Sequence, residues 1–126
     1  MLLSIHHVAI IASDYAASKR FYTEVLGFEL AAEHFRAERN SWKGDLTLGS
    51  IQIELFSFPD APLRPSRPEA QGLRHLAFSV DDLNAVVAGI AARGIDVEPV
   101  RVDPYTGKRF TFFADPDGLP LELYEG

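Results

Sequence analysis

Two histidines and two glutamates are spaced as if one short pattern occurred twice in the chain. His75 lies 68 residues after His7, and Glu122 lies 68 residues after Glu54. All four sit among apolar residues whose alternation predicts β-strands. A carboxylate enclosed in such a place needs a partner, because taking it out of water without one costs several kcal/mol.

A divalent cation would be a suitable partner for all four side chains. Neutral imidazoles do not cancel the charge of two carboxylates, whereas a cation accepts two nitrogens and two oxygens and keeps positions for water or substrate. The alternative is that each histidine is a hydrogen-bonded strand residue and each glutamate faces solvent. The shared spacing favours a metal site with these ligands: His7, Glu54, His75 and Glu122.

The elements around these residues repeat with the same period. Asp14 and Asp82 each follow a histidine-bearing strand and precede an apolar helical stripe, so both are predicted helix N-caps. Gly27 and Gly94 are predicted to end the two helices. Further strands are expected to begin at 28–30 and 95–97, and the last strand of each half is expected at 50–56 and 118–124. The pattern predicts a duplicated βαβββ unit.

We therefore expect one domain with an internal repeat, composed of a first module at residues 1–58, a linker at 59–72 and a second module at 73–126. Within the linker, a proline stands at every third position from Pro59 to Pro68, which favours an extended, polyproline-like connector. A ligand for an adaptor domain is the less common use of such a composition.

Length and charge restrict the classes of function. The chain has 126 residues, which suits one domain, and 12 Lys and Arg against 18 Asp and Glu give a net charge of −6. That balance argues against nucleic acid as a partner. Without cysteine, histidine and carboxylate must provide any metal ligands. We find neither a signal peptide nor a membrane-spanning stretch, and we expect a cytoplasmic protein.

Over nearly its whole length, the chain resembles a glyoxalase-type member of the vicinal oxygen chelate superfamily, and lactoylglutathione lyases in particular. Four motifs carry the resemblance: His-Val-Ala-Ile at His7, Ile-Gln-Ile-Glu-Leu at Glu54, Arg-His-Leu-Ala-Phe at His75, and an Asp-Pro-Asp-Gly turn at 115–118 before Glu122. The resemblance implies an α+β fold of paired βαβββ modules, the glyoxalase/bleomycin resistance/dihydroxybiphenyl dioxygenase fold, whose sheets form a cup.

In this family the four matched residues hold one divalent metal, and nitrogen and oxygen ligands accept nickel, zinc, cobalt or manganese. The resemblance also implies a homodimer in which each site draws ligands from both chains. The reaction it implies is proton abstraction next to a carbonyl through a metal-bound enediolate, with Glu122 as principal base and Glu54 as its counterpart.

The candidate substrate is a small molecule, a hemithioacetal of a 2-oxoaldehyde and a thiol. Lactoylglutathione lyases commonly carry an arginine four residues after the first histidine, where this chain has Ile11, and this departure puts glutathione in question. Two alternatives are a drug-resistance or ligand-binding protein and a small extradiol-type dioxygenase. A dioxygenase would prefer two histidines and one carboxylate around iron(II).

Cationic and aromatic residues in two loops could bind the substrate, and we name seven candidates: Arg36, Arg39, Trp42, Lys43, Tyr105, Lys108 and Arg109. Phe110 and Phe112 are expected to pack within the sheets. His6 is expected on the opposite strand face from His7 with a structural role. His34 is expected at the surface or at the rim of a pocket, not as a metal ligand.

Overall fold

Alternating apolar residues build two four-stranded sheets, one in each half of the chain. The computed structural model describes residues 1–126, and their contacts divide the chain into two units, Met1–Leu63 and Arg64–Gly126. Both units combine helix with mixed sheet, so the predicted α+β class is confirmed. None of the helices is both long enough and apolar enough to cross a membrane.

The first unit contains one helix and four strands. Its sheet has the order β1-β4-β3-β2, in which β1 runs parallel to β4 and the other neighbours are antiparallel. Helix α1 continues into a π-helical turn at Phe21–Val25, and a short 3-10 turn at Ala37–Arg39 precedes β3. The bounds are β1 Val8–Ala12, α1 Tyr15–Arg20, β2 Glu29–Arg36, β3 Ser41–Leu48 and β4 Ile51–Ser57.

The second unit repeats this order of elements. Its sheet has the order β5-β8-β7-β6, again with one parallel pair, β5 and β8. The bounds are β5 Leu76–Val80, α2 Leu83–Ala91, β6 Arg101–Val102, β7 Arg109–Ala114 and β8 Pro120–Glu125. The predicted βαβββ order is therefore present in each unit.

Both predicted helix caps are confirmed. The Asp14 carboxylate accepts a hydrogen bond from the Ala17 amide at 3.1 Å, and the Asp82 carboxylate accepts one from the Ala85 amide at 3.0 Å. Each bond satisfies an amide that has no partner inside the helix. After each helix, a glycine takes the left-handed conformation that ends it, Gly27 with φ of 83° and Gly94 with φ of 80°.

The prediction of a strand that begins at residue 95 is wrong. Residues 95–100 form no strand, and β6 is only two residues long. Glu98 makes a single backbone bond to this sheet, from its amide to the Phe112 carbonyl at 2.9 Å. Its carbonyl instead accepts from the Thr111 hydroxyl at 2.6 Å, so a side chain occupies the backbone group that a ladder would use.

The proline-rich segment contains no helix or strand, but it is less extended than predicted. Turns at residues 59–60 and 66–69 flank an irregular stretch at 61–65. Because turns reverse the chain direction, this segment folds back rather than running straight.

Each unit has its own apolar core between helix and sheet. In the first unit, Leu46, Ile53 and Leu55 are fully buried, and in the second Leu83 and Leu121 are fully buried. The alternation along β4 places Ile53 and Leu55 on the core face, so Glu54 projects from the other face. Glu122 has the same position between Leu121 and Leu123.

Gly44 is required where α1 packs against β3. A Cβ at this position would overlap the Tyr15 hydroxyl oxygen, and Tyr15 is itself buried. We predict that Gly44→Ala lowers the free energy of unfolding by about 2 kcal/mol through overpacking. Chemical denaturation would measure the change. Gly89→Ala is the matched control, because Gly89 lies inside α2 with open space around it and alanine favours a helix by up to about 1 kcal/mol.

The double variant Gly44→Ala with Tyr15→Phe removes the overlapping oxygen and should lose less stability than the sum of the two single variants. Equal stability of Gly44→Ala and the parent would contradict the role given to this contact.

Candidate metal centre

The first unit brings His7 and Glu54 together on one face of its sheet. In the parallel ladder of β1 and β4, Ala9 lies opposite Glu54, and His7 comes two residues before Ala9. His7 Nε2 lies 3.4 Å from Glu54 Oε2, and only 14% of the Glu54 side chain is exposed. One imidazole nitrogen and one largely buried carboxylate therefore face the same space.

The second unit builds the same pair at the same register. Ala77 lies opposite Glu122 in the ladder of β5 and β8, which is the first arrangement moved by 68 residues. His75 Nε2 lies 3.1 Å from Glu122 Oε1, and only 13% of the Glu122 side chain is exposed. His75 is the only ion-pair partner of Glu122, and no lysine or arginine lies that close.

Neither His7 nor His75 lies inside a strand, which corrects the sequence-based expectation. Each ladder begins one residue later, with Val8 opposite Ile53 in the first unit and Leu76 opposite Leu121 in the second. Each histidine is thus the residue immediately before an edge strand, β1 for His7 and β5 for His75.

The third strand of each sheet gives the two pairs different neighbours. Asp45 lies opposite Glu54, and the Lys43 ammonium donates to Asp45 at 2.8 Å and lies 3.7 Å from Glu54. The hydrogen bond to Asp45 is the main cause that raises the pKa of Lys43. In the second unit, Phe112 lies opposite Glu122 and its ring meets the His75 ring edge to face. The first pair is therefore polar in its surroundings, and the second is backed by an aromatic ring.

Each candidate histidine has a neighbour at Nδ1. The Arg74 guanidinium lies 3.2 Å from His75 Nδ1. His6 Nδ1 lies 2.9 Å from His7 Nδ1. His6 is exposed and lies before β1, so its predicted place on the opposite face of that strand is wrong. His34 is exposed, as predicted.

Each pair offers two donors, and the chain contains no group of three or more His, Asp or Glu side chains that could hold a metal ion. Catalytic zinc sites usually have three protein ligands. One pair alone is thus too small a donor set for such a centre.

The predicted substrate residues of the first loop have partners already. The Arg36 guanidinium lies over the rings of Phe56 and Phe58, at 5.0 and 5.6 Å from their centroids, and donates to Ser41. Arg39 lies 5.7 Å from the Phe58 ring centroid. These two arginines are therefore engaged by aromatic faces of their own unit.

Trp42 and Lys43 lie on different faces of β3, since they are consecutive strand residues. Trp42 stacks on Tyr15 with 5.4 Å between ring centroids. Lys43 is the only one of the seven predicted substrate residues beside a candidate ligand, Glu54.

The remaining three candidates lie around the loop between β6 and β7. Tyr105 and Lys108 are exposed, and 94% of Tyr105 is accessible to solvent. The Arg109 guanidinium is bound by Glu125 at 2.9 Å and by Asn84 at 3.2 Å. None of these three residues lines the cavity beside His75.

Sequence reasoning missed that cavity. It has a volume of about 550 Å³ in the second unit and contains His75, Phe112 and four arginines, Arg64, Arg67, Arg74 and Arg101. Arg101 lies over the rings of Phe110 and Phe112, which are half-buried on this face rather than packed inside. Arg74, as the neighbour of His75, was the available signal.

A second, more open cavity lies in the first unit beside Trp42, Lys19 and Glu33. The Tyr15 hydroxyl and the Lys19 ammonium both donate to Glu33, each at 2.7 Å. Burial, followed by the bond to Glu33, raises the pKa of Tyr15, so the phenol remains a donor. This cluster joins α1 to β2 on the helix side of the sheet.

The comparisons with known proteins identify the family. A model of the Glyoxalase/Bleomycin resistance protein/Dioxygenase superfamily matches residues 4–123. The chain belongs to this superfamily, whose named members include an epimerase, metallothiol transferases and dioxygenases.

Three relatives illustrate the similarity. Uncharacterized protein YaeR of Escherichia coli is 66% identical over 98% of this chain and 97% of its own length. A 2-epi-5-epi-valiolone epimerase from an Actinomyces species is 32% identical over 96% of this chain and 78% of its own. The crystal structure of a glyoxalase family protein from Enterococcus faecalis has 57% identity, 97% coverage of both chains and a TM-score of 0.92. The predicted fold is thereby confirmed.

The cluster of Tyr15, Lys19 and Glu33 should make the free energy of unfolding depend on pH in the acidic range. The hydrogen bond from Lys19, followed by that from Tyr15, lowers the pKa of Glu33 below its value in the unfolded chain. A lowered folded-state pKa gives stability that is present above the unfolded pKa and is lost as pH falls through the folded one.

We predict that the free energy of unfolding of the parent falls more steeply between about pH 5 and about pH 3 than that of Glu33→Gln. Denaturant titrations at several pH values would measure it. Glu24→Gln is the control, because Glu24 is exposed and should leave the slope unchanged. Parallel curves for the parent and Glu33→Gln would refute the assignment.

Proposed function

We propose that the protein is a divalent-metal-dependent lyase or isomerase of the glyoxalase type, which removes a proton from a carbon next to a carbonyl. The observation that carries the proposal is the repeated pair of imidazole and buried carboxylate, at 3.4 Å in one unit and 3.1 Å in the other. Both pairs stand at the same ladder register, so one backbone arrangement presents both donor sets.

The donor chemistry fits a divalent cation. The proposed ligands are His7, Glu54, His75 and Glu122, two nitrogens and two oxygens, which nickel, zinc, cobalt and manganese all accept. Glu122 supports the assignment most strongly, because it is largely buried and its nearest charged or ionisable partner is an imidazole. When bound, the cation would polarise the substrate carbonyl and stabilise the negative charge that develops after proton loss.

Glu122 is the proposed base. Its ion-pair partner is His75 alone, whereas Glu54 also lies 3.7 Å from the Lys43 ammonium. The epimerase among the relatives is compatible with this reaction class, since epimerisation next to a carbonyl can proceed by loss and return of a proton.

Each chain has two pairs, so a homodimer would build two complete sites, each with one pair from either chain. Each unit contributes one pair, and a donor set of four needs two pairs. We propose that two copies of the chain share their ligands in this way. The family includes small-molecule enzymes, and a small substrate is proposed here too.

The thiol partner is proposed to be other than glutathione. Ile11 stands on the same strand face as Ala9 and is 52% exposed, so this position offers apolar surface without a donor for a carboxylate. A ligand-binding protein without turnover is the second candidate, and the cavity of about 550 Å³ beside His75 would hold its ligand.

Metal binding is the first prediction of this proposal. Purified protein should bind nickel, zinc, cobalt or manganese in stoichiometric amounts, and His75→Ala and His7→Ala should each reduce the bound metal strongly. Elemental analysis after dialysis would measure the content. His34→Ala is the matched control, since His34 is an exposed histidine on β2, two strands away from Glu54 in the sheet. A metal content that neither ligand variant changes would rule out the centre.

Turnover is the second prediction. With hemithioacetals of methylglyoxal and several thiols, Glu122→Gln should lower kcat by about 100-fold or more, the usual contribution of a general base. Absorbance of the thioester product would follow the reaction, with circular dichroism to check the fold. Exposed Glu38→Gln is the control. If Glu54→Gln abolishes turnover while Glu122→Gln keeps it, the roles of the two glutamates are reversed.

A further inference from the structure

We infer that the proline-rich segment forms one wall of a cavity that binds the anionic end of a small organic acid with an apolar body. The inference rests on the proposed function in one respect, since it takes the cavity beside His75 as the place of the substrate. The segment provides Arg64, Pro65, Ser66 and Arg67 to this cavity, and the opposite wall is formed by residues of β6 and β7.

The cavity is positively charged in a negatively charged chain. Four arginines line it against three acids, Glu69, Asp96 and Glu98, although the whole chain carries a net charge of −6. Arg67 forms no ion pair, and its charge acts on Glu69 from a distance. A local excess of guanidinium groups in a concave site favours oxyanions.

Two of the arginines have carboxylate partners that an incoming anion can replace. Arg74 donates to Glu69 at 2.9 Å, and Arg101 donates to Glu98 at 3.0 Å. All four side chains are about half exposed or more, and such surface pairs contribute little. Each guanidinium has five N–H donors, so several remain for a ligand.

Arg64 holds the wall in place. Its guanidinium donates to the carbonyl oxygens of Leu73 at 2.8 Å and Arg74 at 3.0 Å, the two residues before His75. Its Nε atom is buried without a partner. Arg64 is thus a positioning residue that joins the proline-rich segment to the chain that presents His75, and its charge is not neutralised by a carboxylate.

The apolar part of the wall defines the other half of the ligand. Val97, Phe112, Phe113 and Ala114 line the cavity, and Arg101 lies 5.8 Å from the Phe112 ring centroid. A ligand that carries a hydrophobic or aromatic group next to an oxyanion would contact both surfaces. A purely inorganic anion would use only the arginines.

Isothermal titration calorimetry with phenylphosphonate, phenylacetate and inorganic phosphate tests the inference. We expect phenylphosphonate to bind about tenfold more tightly than phosphate, because its ring adds buried apolar area. Comparing the affinities for phenylacetate and phenylphosphonate shows whether the cavity prefers a carboxylate or a phosphonate. Arg101→Ala should weaken phenylphosphonate binding about tenfold, and Arg67→Ala about fivefold, since each removes a charge-assisted donor.

Arg93→Ala is the matched control, because Arg93 is an exposed arginine of the same unit that does not line the cavity. It should bind phenylphosphonate within twofold of the parent. Arg101→Gln keeps most of the side-chain stem and removes the charge, so it replaces Arg101→Ala in the titration if that variant does not fold. Equal binding by the parent, Arg101→Gln and Arg67→Ala would overturn the inference, as would an equal loss in Arg93→Ala.

The titrations use protein freed of metal with a chelator, and manganese is titrated into the same preparation in a separate experiment. Stoichiometric manganese binding without phenylphosphonate binding would overturn the cavity assignment and leave the proposed function in place. Phenylphosphonate binding that depends on Arg101, without binding of manganese or of nickel, zinc or cobalt titrated in the same way, would overturn the proposed function and support the cavity.

Discussion

The parallel pairing of the first and last strands in each unit is the constraint on which the candidate site depends. It sets Ala9 opposite Glu54 and Ala77 opposite Glu122, so that the histidine two residues earlier faces the carboxylate. A shift of this register by one residue would turn each glutamate into the apolar core. Buried leucines and isoleucines on the opposite face of β4 and β8 oppose that shift, because they would become exposed. The hydrophobic cores thus position the polar pairs.

The antiparallel third strands make the two pairs chemically different. Asp45 lies opposite Glu54, but Phe112, one residue short of the repeat, lies opposite Glu122. One carboxylate therefore shares a lysine with a second acid, and the other faces an aromatic ring. The repeated strand order therefore places one carboxylate beside a lysine and the other beside an aromatic ring, so the two pairs are not chemically equivalent.

The local features of the fold could be predicted because they depend on neighbouring residues. Asp14 and Asp82 cap helices within three residues, and the alternation around Glu54 and Glu122 defines strand faces. The shared spacing identified the same two positions in both halves, and in each unit the parallel ladder brings the histidine and the glutamate together. The absent strand at 95–97 could not be predicted, because the Thr111 hydroxyl, far along the chain, takes the carbonyl of Glu98. Arg74 is adjacent to His75 and was an available signal for the cavity, but Arg101 and Phe112 join its lining from far along the chain.

The proline-rich segment shows why a connector can affect a site that it does not contain. Arg64 donates to the carbonyls of residues 73 and 74, and Arg74 in turn donates to His75 Nδ1. Residues of the segment and the candidate ligand thus share one chain of hydrogen bonds. Arg64 thereby holds the two residues that precede His75, so the connector and the candidate ligand are linked by contacts within a single unit.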